Sequence, residues 1–95
     1  MNKRRLVHQN HKKLHAIKRA KERYGIDLSI KEINRLASSI EKGELVAVDF
    51  TFGRKSETYR AKVLDKTVYP VYDRSIQTVT TFLTEGMVKE NRMMA

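Results

Sequence analysis

The sequence predicts an α+β domain: two N-terminal helices packed on one face of a four-stranded antiparallel sheet arranged as a meander. Three observations lead there. Apolar residues recur at helical spacing through the first forty positions, the period falls to two after Gly43, and short polar clusters then punctuate the chain at hairpin intervals. At 95 residues the chain has room for a single domain, 1–95, with a structured core expected over about 5–84 and a frayed polar tail over 86–95.

Arg5 to Tyr24 contains neither Gly nor Pro, and Leu6, Val7, Leu14, Ile17, Ala20 and Tyr24 approximate an amphipathic helix that Gly25 stops. Ser29 followed by Glu32 forms a capping box for a second helix. Leu28 staples onto Ile33, the buried stripe is Ile33, Leu36, Ala37 and Ile40, and Gly43 ends the helix. Leu45 to Phe52 alternates, with Val46, Val48, Phe50 and Phe52 on an apolar face. Gly53-Arg54-Lys55-Ser56 turns the chain into a second strand, with Tyr59, Ala61 and Val63 on one face and Arg60, Lys62 and Leu64 on the other. Asp65-Lys66 makes the next turn. The third strand, Thr67 to Tyr72, contains Pro70, which cannot donate to a ladder and so implies an edge or a bulge. Asp73-Arg74-Ser75 leads to a fourth strand, Ile76 to Thr84, rich in β-branched residues.

With no cysteine, disulfide scaffolds and thiolate metal cages are excluded. No apolar run approaches the roughly 18 residues of a membrane helix, and no apolar stretch follows Met1-Asn2-Lys3-Arg4-Arg5. The expectation is a soluble cytoplasmic protein without an export signal and with no membrane partner.

Charge is the strongest compositional signal. The chain carries 20 Lys and Arg against 11 Asp and Glu, a net charge of +9, and residues 1–25 hold nine of the cations (Lys3, Arg4, Arg5, Lys12, Lys13, Lys18, Arg19, Lys21, Arg23) with one acid, Glu22. Solubility requires net charge but not its segregation into one quarter of a chain. A concentrated positive field gathers polyanions, and nucleic acid is the common cytoplasmic one. Lys12, Lys13, Lys18, Arg19, Arg23 and Arg60 are the candidate nucleic-acid contacts.

Metal-independent RNA cleavage needs a base for the 2′-hydroxyl, an acid for the leaving oxygen, and cations for the phosphate. His8, His11 and His15 all lie in the basic helix, and His11, His15 and Arg19 share one of its faces at i, i+4 and i+8, beside the apolar seam of Leu14 and Ile17. As ordinary polar helix residues they would need no further role. Two histidines at i, i+4 also match a zinc spacing, but Lys12, Lys13, Lys18 and Arg19 surround them with positive charge and no carboxylate ligand lies near, so no metal is expected. Neither a phosphate-binding Gly loop nor a nucleophile elbow is present, and no cofactor is expected. Tyr69 or Tyr72 offers a surface for base stacking, although core packing accounts for most of the aromatics. The threonines at 78, 80, 81 and 84 suit a strand.

The pattern His15-x-x-x-Arg19-x-x-x-Arg23-Tyr24-Gly25-Ile26, followed by a capped helix, a Gly-Arg-Lys turn, Val71-Tyr72-Asp73 and Thr78-Val79-Thr80-Thr81-Phe82-Leu83, resembles small phage and toxin nuclease domains of the superfamily that joins barnase, colicin-type tRNases and RelE-type toxins, the BECR fold. The likeness spans roughly residues 11–84 and lies in element order and scattered positions. It implies a helical part on a four-stranded sheet that holds RNA across its open face, and metal-independent endoribonuclease activity in members that keep the catalytic set. By that resemblance His15 is the general acid or base, Arg19 holds the scissile phosphate, Thr81 is the last-strand threonine, and Lys62 or Arg60 is the transition-state cation. Arg23 is placed either on the phosphate or at the helix C-terminus. The catalytic set varies within the superfamily, and some relatives only bind. The rival expectation is therefore a non-enzymatic phage-type regulator that uses the same helix to occupy a nucleic-acid channel. Expected partners are RNA rather than DNA, and a host ribonucleoprotein or a cognate antidote protein.

Overall fold

A computed structural model describes residues 3–50 and 55–88, the side chains of 3–8 and 49–50 excepted. It has the predicted α+β architecture. Helices α1 (Lys3–Tyr24) and α2 (Ile30–Glu41) precede strands β1 (Val46–Phe50), β2 (Ser56–Val63), β3 (Lys66–Asp73) and β4 (Thr78–Leu83). The four strands pair antiparallel in chain order, so β1 and β4 are the edges.

Local chemistry sets the helix boundaries. Gly25 follows α1 with φ of 68°, and the α2 cap is complete: Glu32 N–H donates to Ser29 Oγ while Ser29 N–H donates to Glu32 Oε1, both at 3.3 Å. The staple pair Leu28 and Ile33 is buried beneath it. Ala16, Ala20, Ile26, Ile33, Ala37 and Ile40 pack against Ala61, Val68, Tyr72, Val79 and Phe82 from the sheet, forming one core on one sheet face.

Four expectations are corrected. The α1 seam is Ala16, Ile17, Ala20 and Tyr24, whereas Leu14 is 59% exposed, because small alanines let the helix backbone approach β4. Val46 does not face the core. It pairs with Arg60 and is 58% exposed, and a register shift between Ala47 and Asp49 breaks the predicted alternation of β1. The β2–β3 turn is centred on Leu64 and Asp65, with φ of 49° and 64°, one residue earlier than Asp65-Lys66. Pro70 sits in an interior strand with a bulge at Val71/Tyr72, so only the bulge half of its expectation is realised.

Where a tail was expected from residue 86, Glu85 to Val88 form a helical turn whose Met87 N–H donates to Thr84 Oγ1, and Val88 is buried because that turn folds back against the domain. Phe52, the Gly53-Arg54 half of the first hairpin turn and tail residues 89–95 lie outside the described residues.

Candidate nucleic-acid interface

Helix α1 runs along the edge strand β4 and is tied to main chain at two places, at Gln9 to the β3–β4 turn and at its last turn to β4 itself. Gln9 donates to the Ile76 carbonyl at 2.5 Å and Arg23 to the Phe82 carbonyl at 2.6 Å, while the Tyr24 hydroxyl donates to the Leu83 carbonyl. At about 100° per residue, Gln9, Ala16, Ala20 and Arg23 form one line down the helix, the line that meets β4. Ile17 and Tyr24 flank it on the side that packs into the core. Lys12, His15 and Arg19 flank it on the other side, toward the outer margin of β4, with His11 further out and Lys18 pointing to solvent. Lys13 falls on the core-side flank and is half-buried, as Lys12 is on its own side. The cations therefore surround the helix rather than form a single stripe.

His15 and Arg19 are brought together. Arg19 Nε donates to His15 Nε2 at 3.4 Å, and the same guanidinium donates to Glu22 Oε2 at 2.8 Å. Partial desolvation on the helix surface lowers the His15 pKa, and the positive charges of Arg19, Lys12, Lys18 and His11 lower it further. The imidazole is thus biased toward its neutral form, in which Nε2 accepts from Arg19. Arg23 is spent on β4, and it does not cap its own helix: Lys66 Nζ takes that place, donating to the Tyr24 carbonyl at 2.7 Å.

The sheet face opposite the core is lined by alternate residues of each strand. β2 presents Arg60 and Lys62, both exposed; β3 presents Thr67, exposed, with Tyr69 and Val71 half-exposed; and β4 presents Thr81 and Leu83, half-exposed, whereas toward the other end of the same face Thr58 of β2 and Thr78 of β4 are buried, so the open area lies at the Arg60 and Lys62 end. Thr81 pairs with Val71 on the strand beside α1, and Lys62 pairs with Thr67 on the far side of β3. Four residues of β3 separate those levels, about 13 Å along the strand, and two strand spacings, about 10 Å, separate them across it. Lys62 and Thr81 share the open face but do not meet at one atom. Arg60 lies between their levels. Of the remaining threonines, Thr78 is fully buried and its hydroxyl has no partner among the described residues, and Thr80 sits at the bulge with its hydroxyl 3.5 Å from the Val71 carbonyl.

Sequence reasoning missed a polar network at the far end of the core face. The Tyr59 hydroxyl donates to Glu57, whose other oxygen lies 2.5 Å from Arg74, and the Tyr72 hydroxyl donates to Glu41 at 2.8 Å. Burial and then the Glu57 carboxylate push the Tyr59 pKa up to about 12; burial and then Glu41 raise that of Tyr72. These groups line a hollow of about 350 Å³ and tie α2 and the β3–β4 turn to the sheet. Only the two-residue spacing of Glu57 and Tyr59 on one strand face hinted at it. A second hollow, about 310 Å³, lies between α2 and the end of β2 and includes Lys62 in its lining.

Fold and surface together define a small α+β protein with a cationic helix flank beside an open sheet face. No protein-family profile matches the chain, and neither a curated protein nor a solved structure matches it significantly. Among the described residues no helix is long and apolar enough to cross a membrane.

Proposed function

We propose that this is an RNA-directed protein of the bacterial cytoplasm, a toxin-like or phage-type endoribonuclease that needs no metal, with the α1 flank and the open sheet face as its RNA surface. The observation that carries the reading is the His15–Arg19 pair: a neutral imidazole hydrogen-bonded to a guanidinium, within a cationic flank at the edge of an open face. A phosphate engaged by Arg19 draws the guanidinium away from His15 and frees Nε2. His15 then accepts the 2′-hydroxyl proton. The 2′-oxygen bonds to phosphorus as the bond to the 5′-oxygen breaks, and the imidazolium returns the proton to that departing oxygen, leaving a 2′,3′-cyclic phosphate. Thr81 stands on the strand nearest α1, where it contributes a hydroxyl donor; Arg60 and Lys62 neutralise phosphates further along the strand.

A second reading, a non-enzymatic regulator that only binds, is favoured by one specific observation: the register that keeps Lys62 well away from Thr81. Incubating total RNA with the protein in EDTA separates the two. Cleavage by the wild type and not by His15→Ala supports catalysis. RNA bound and left intact by both proteins overturns catalysis and selects the binder.

A further inference from the structure

One cross-strand row on the open face combines two chemistries. Val46 pairs with Arg60 and Tyr69 pairs with Leu83. The β2–β3 register, Ala61 with Val68 and Lys62 with Thr67, continues to set Arg60 opposite Tyr69. Val46, Arg60, Tyr69 and Leu83 therefore line up across all four strands, over about 14 Å. Val46 and Arg60 are exposed, and Tyr69 and Leu83 half-exposed.

The other tyrosines are committed elsewhere. Tyr59 and Tyr72 belong to the core face and donate to Glu57 and Glu41, and Tyr24 donates to the Leu83 carbonyl. Among the described tyrosines, Tyr69 is the one carried by the open face. An apolar and aromatic row beside a guanidinium has little to gain from a duplex, whose bases are stacked inside and whose outer surface is phosphate and sugar. An unpaired nucleotide offers a π-face and a phosphate together. A row of purely electrostatic purpose would not place a half-exposed ring between Arg60 and Leu83.

We infer that Tyr69 stacks an unpaired base while Arg60 holds an adjoining phosphate, so that the RNA taken by this face is single-stranded. The inference rests on the RNA-directed reading and deepens it by naming the substrate class.

The test compares a fluorescent 12-nucleotide single-stranded RNA with a 12-base-pair RNA duplex at one salt concentration, both 2′-O-methylated so that neither can be cleaved. The wild type should bind the single strand more tightly. Tyr69→Ala should weaken that binding ~10- to 100-fold while leaving duplex affinity within about twofold, and Tyr69→Phe should retain it, because stacking needs the ring and not the hydroxyl. The chain has no tryptophan, so Tyr69→Trp introduces a single indole, whose fluorescence should be quenched by the single strand and not by the duplex. Equal loss of both ligands in Tyr69→Ala, unchanged single-strand affinity in that variant, or a wild-type preference for duplex overturns the inference and leaves the RNA-directed reading standing. Failure of the wild type to bind either RNA overturns both.

Discussion

Arg23 donates a hydrogen bond to the main-chain carbonyl of Phe82 at 2.6 Å, across 59 residues of sequence, and so fixes the last turn of α1 to the edge strand. A cation in the basic segment is thereby part of the fold. Removing it as Arg23→Met should cost about 1–3 kcal/mol, the range for a hydrogen bond to a charged donor. For a chain of this length each kcal/mol corresponds to roughly 4–8 °C in Tm, so thermal unfolding by circular dichroism should show a clear drop. RNA affinity should fall by no more than the removal of one charge explains. An unchanged Tm would mean that the contact is not held in solution.

The salt dependence of binding should identify which cations touch phosphate. Replacing Lys12, Lys13, Lys18 and Arg19 together by Gln should reduce the slope of log K against log salt by roughly 1–2, since Lys12 and Arg19 are the two that lie on the flank toward the outer margin of β4 and each single-strand phosphate contact contributes about 0.7. Fluorescence anisotropy titrations between 50 and 300 mM salt measure it. Replacing Lys31 on α2 and Lys42 at its C-cap is the control and should leave the slope nearly unchanged.

His15 makes two processes depend on pH, in opposite senses. Its folded pKa lies below the ordinary imidazole value of about 6.5, so between the two values the unfolded chain binds more protons than the folded one. Its contribution to stability is therefore fully present above pH 6.5 and is lost as the pH falls through the depressed folded value. RNA binding runs the other way, because a nearby phosphate favours imidazolium, and affinity should strengthen as the pH drops from 7.5 to 5.5. Both dependences should flatten in His15→Gln, read by denaturant melts and by binding titrations at each pH. A His15→Gln pH profile that overlays the wild type in both measurements would remove His15 from the interface.

Thr78 offers a test of the buried end of the opposite sheet face. Its hydroxyl is fully buried without a partner among the described residues, which leaves a donor and acceptor desolvated for no return. Thr78→Val keeps the shape and removes the polar atom, and should raise stability by about 1 kcal/mol. A loss of stability instead would show that the hydroxyl is hydrogen-bonded in solution.

What the sequence made legible was local. Ser29 and Glu32 carry the cap of α2 between them, and the alternation of Tyr59, Ala61 and Val63 against Arg60 and Lys62 survives intact in β2. Side-chain size misled the reading of α1, which counts Leu14 into the seam and passes over Ala16, although close approach to β4 favours the smaller residue. Bulges defeated period-two reasoning at Val46 and were only half anticipated at Pro70. The Glu41–Tyr72, Glu57–Arg74 and Lys66–Tyr24 contacts join residues 17 to 42 positions apart and leave no local pattern to read. At the interface, the spacing of His15 and Arg19 was visible as a helical repeat. The row from Val46 to Leu83 depends on registers that only the folded sheet defines.

The clasp of Arg23 and Tyr24 on β4, with Gln9 on the turn that leads into it, has a further consequence. An uncovered β4 would offer another molecule a template for strand addition, the usual first step toward aggregates. The basic helix is thus also the guard of one border of the sheet, and changes that discharge it must leave its grip on that border intact if β4 is to stay covered.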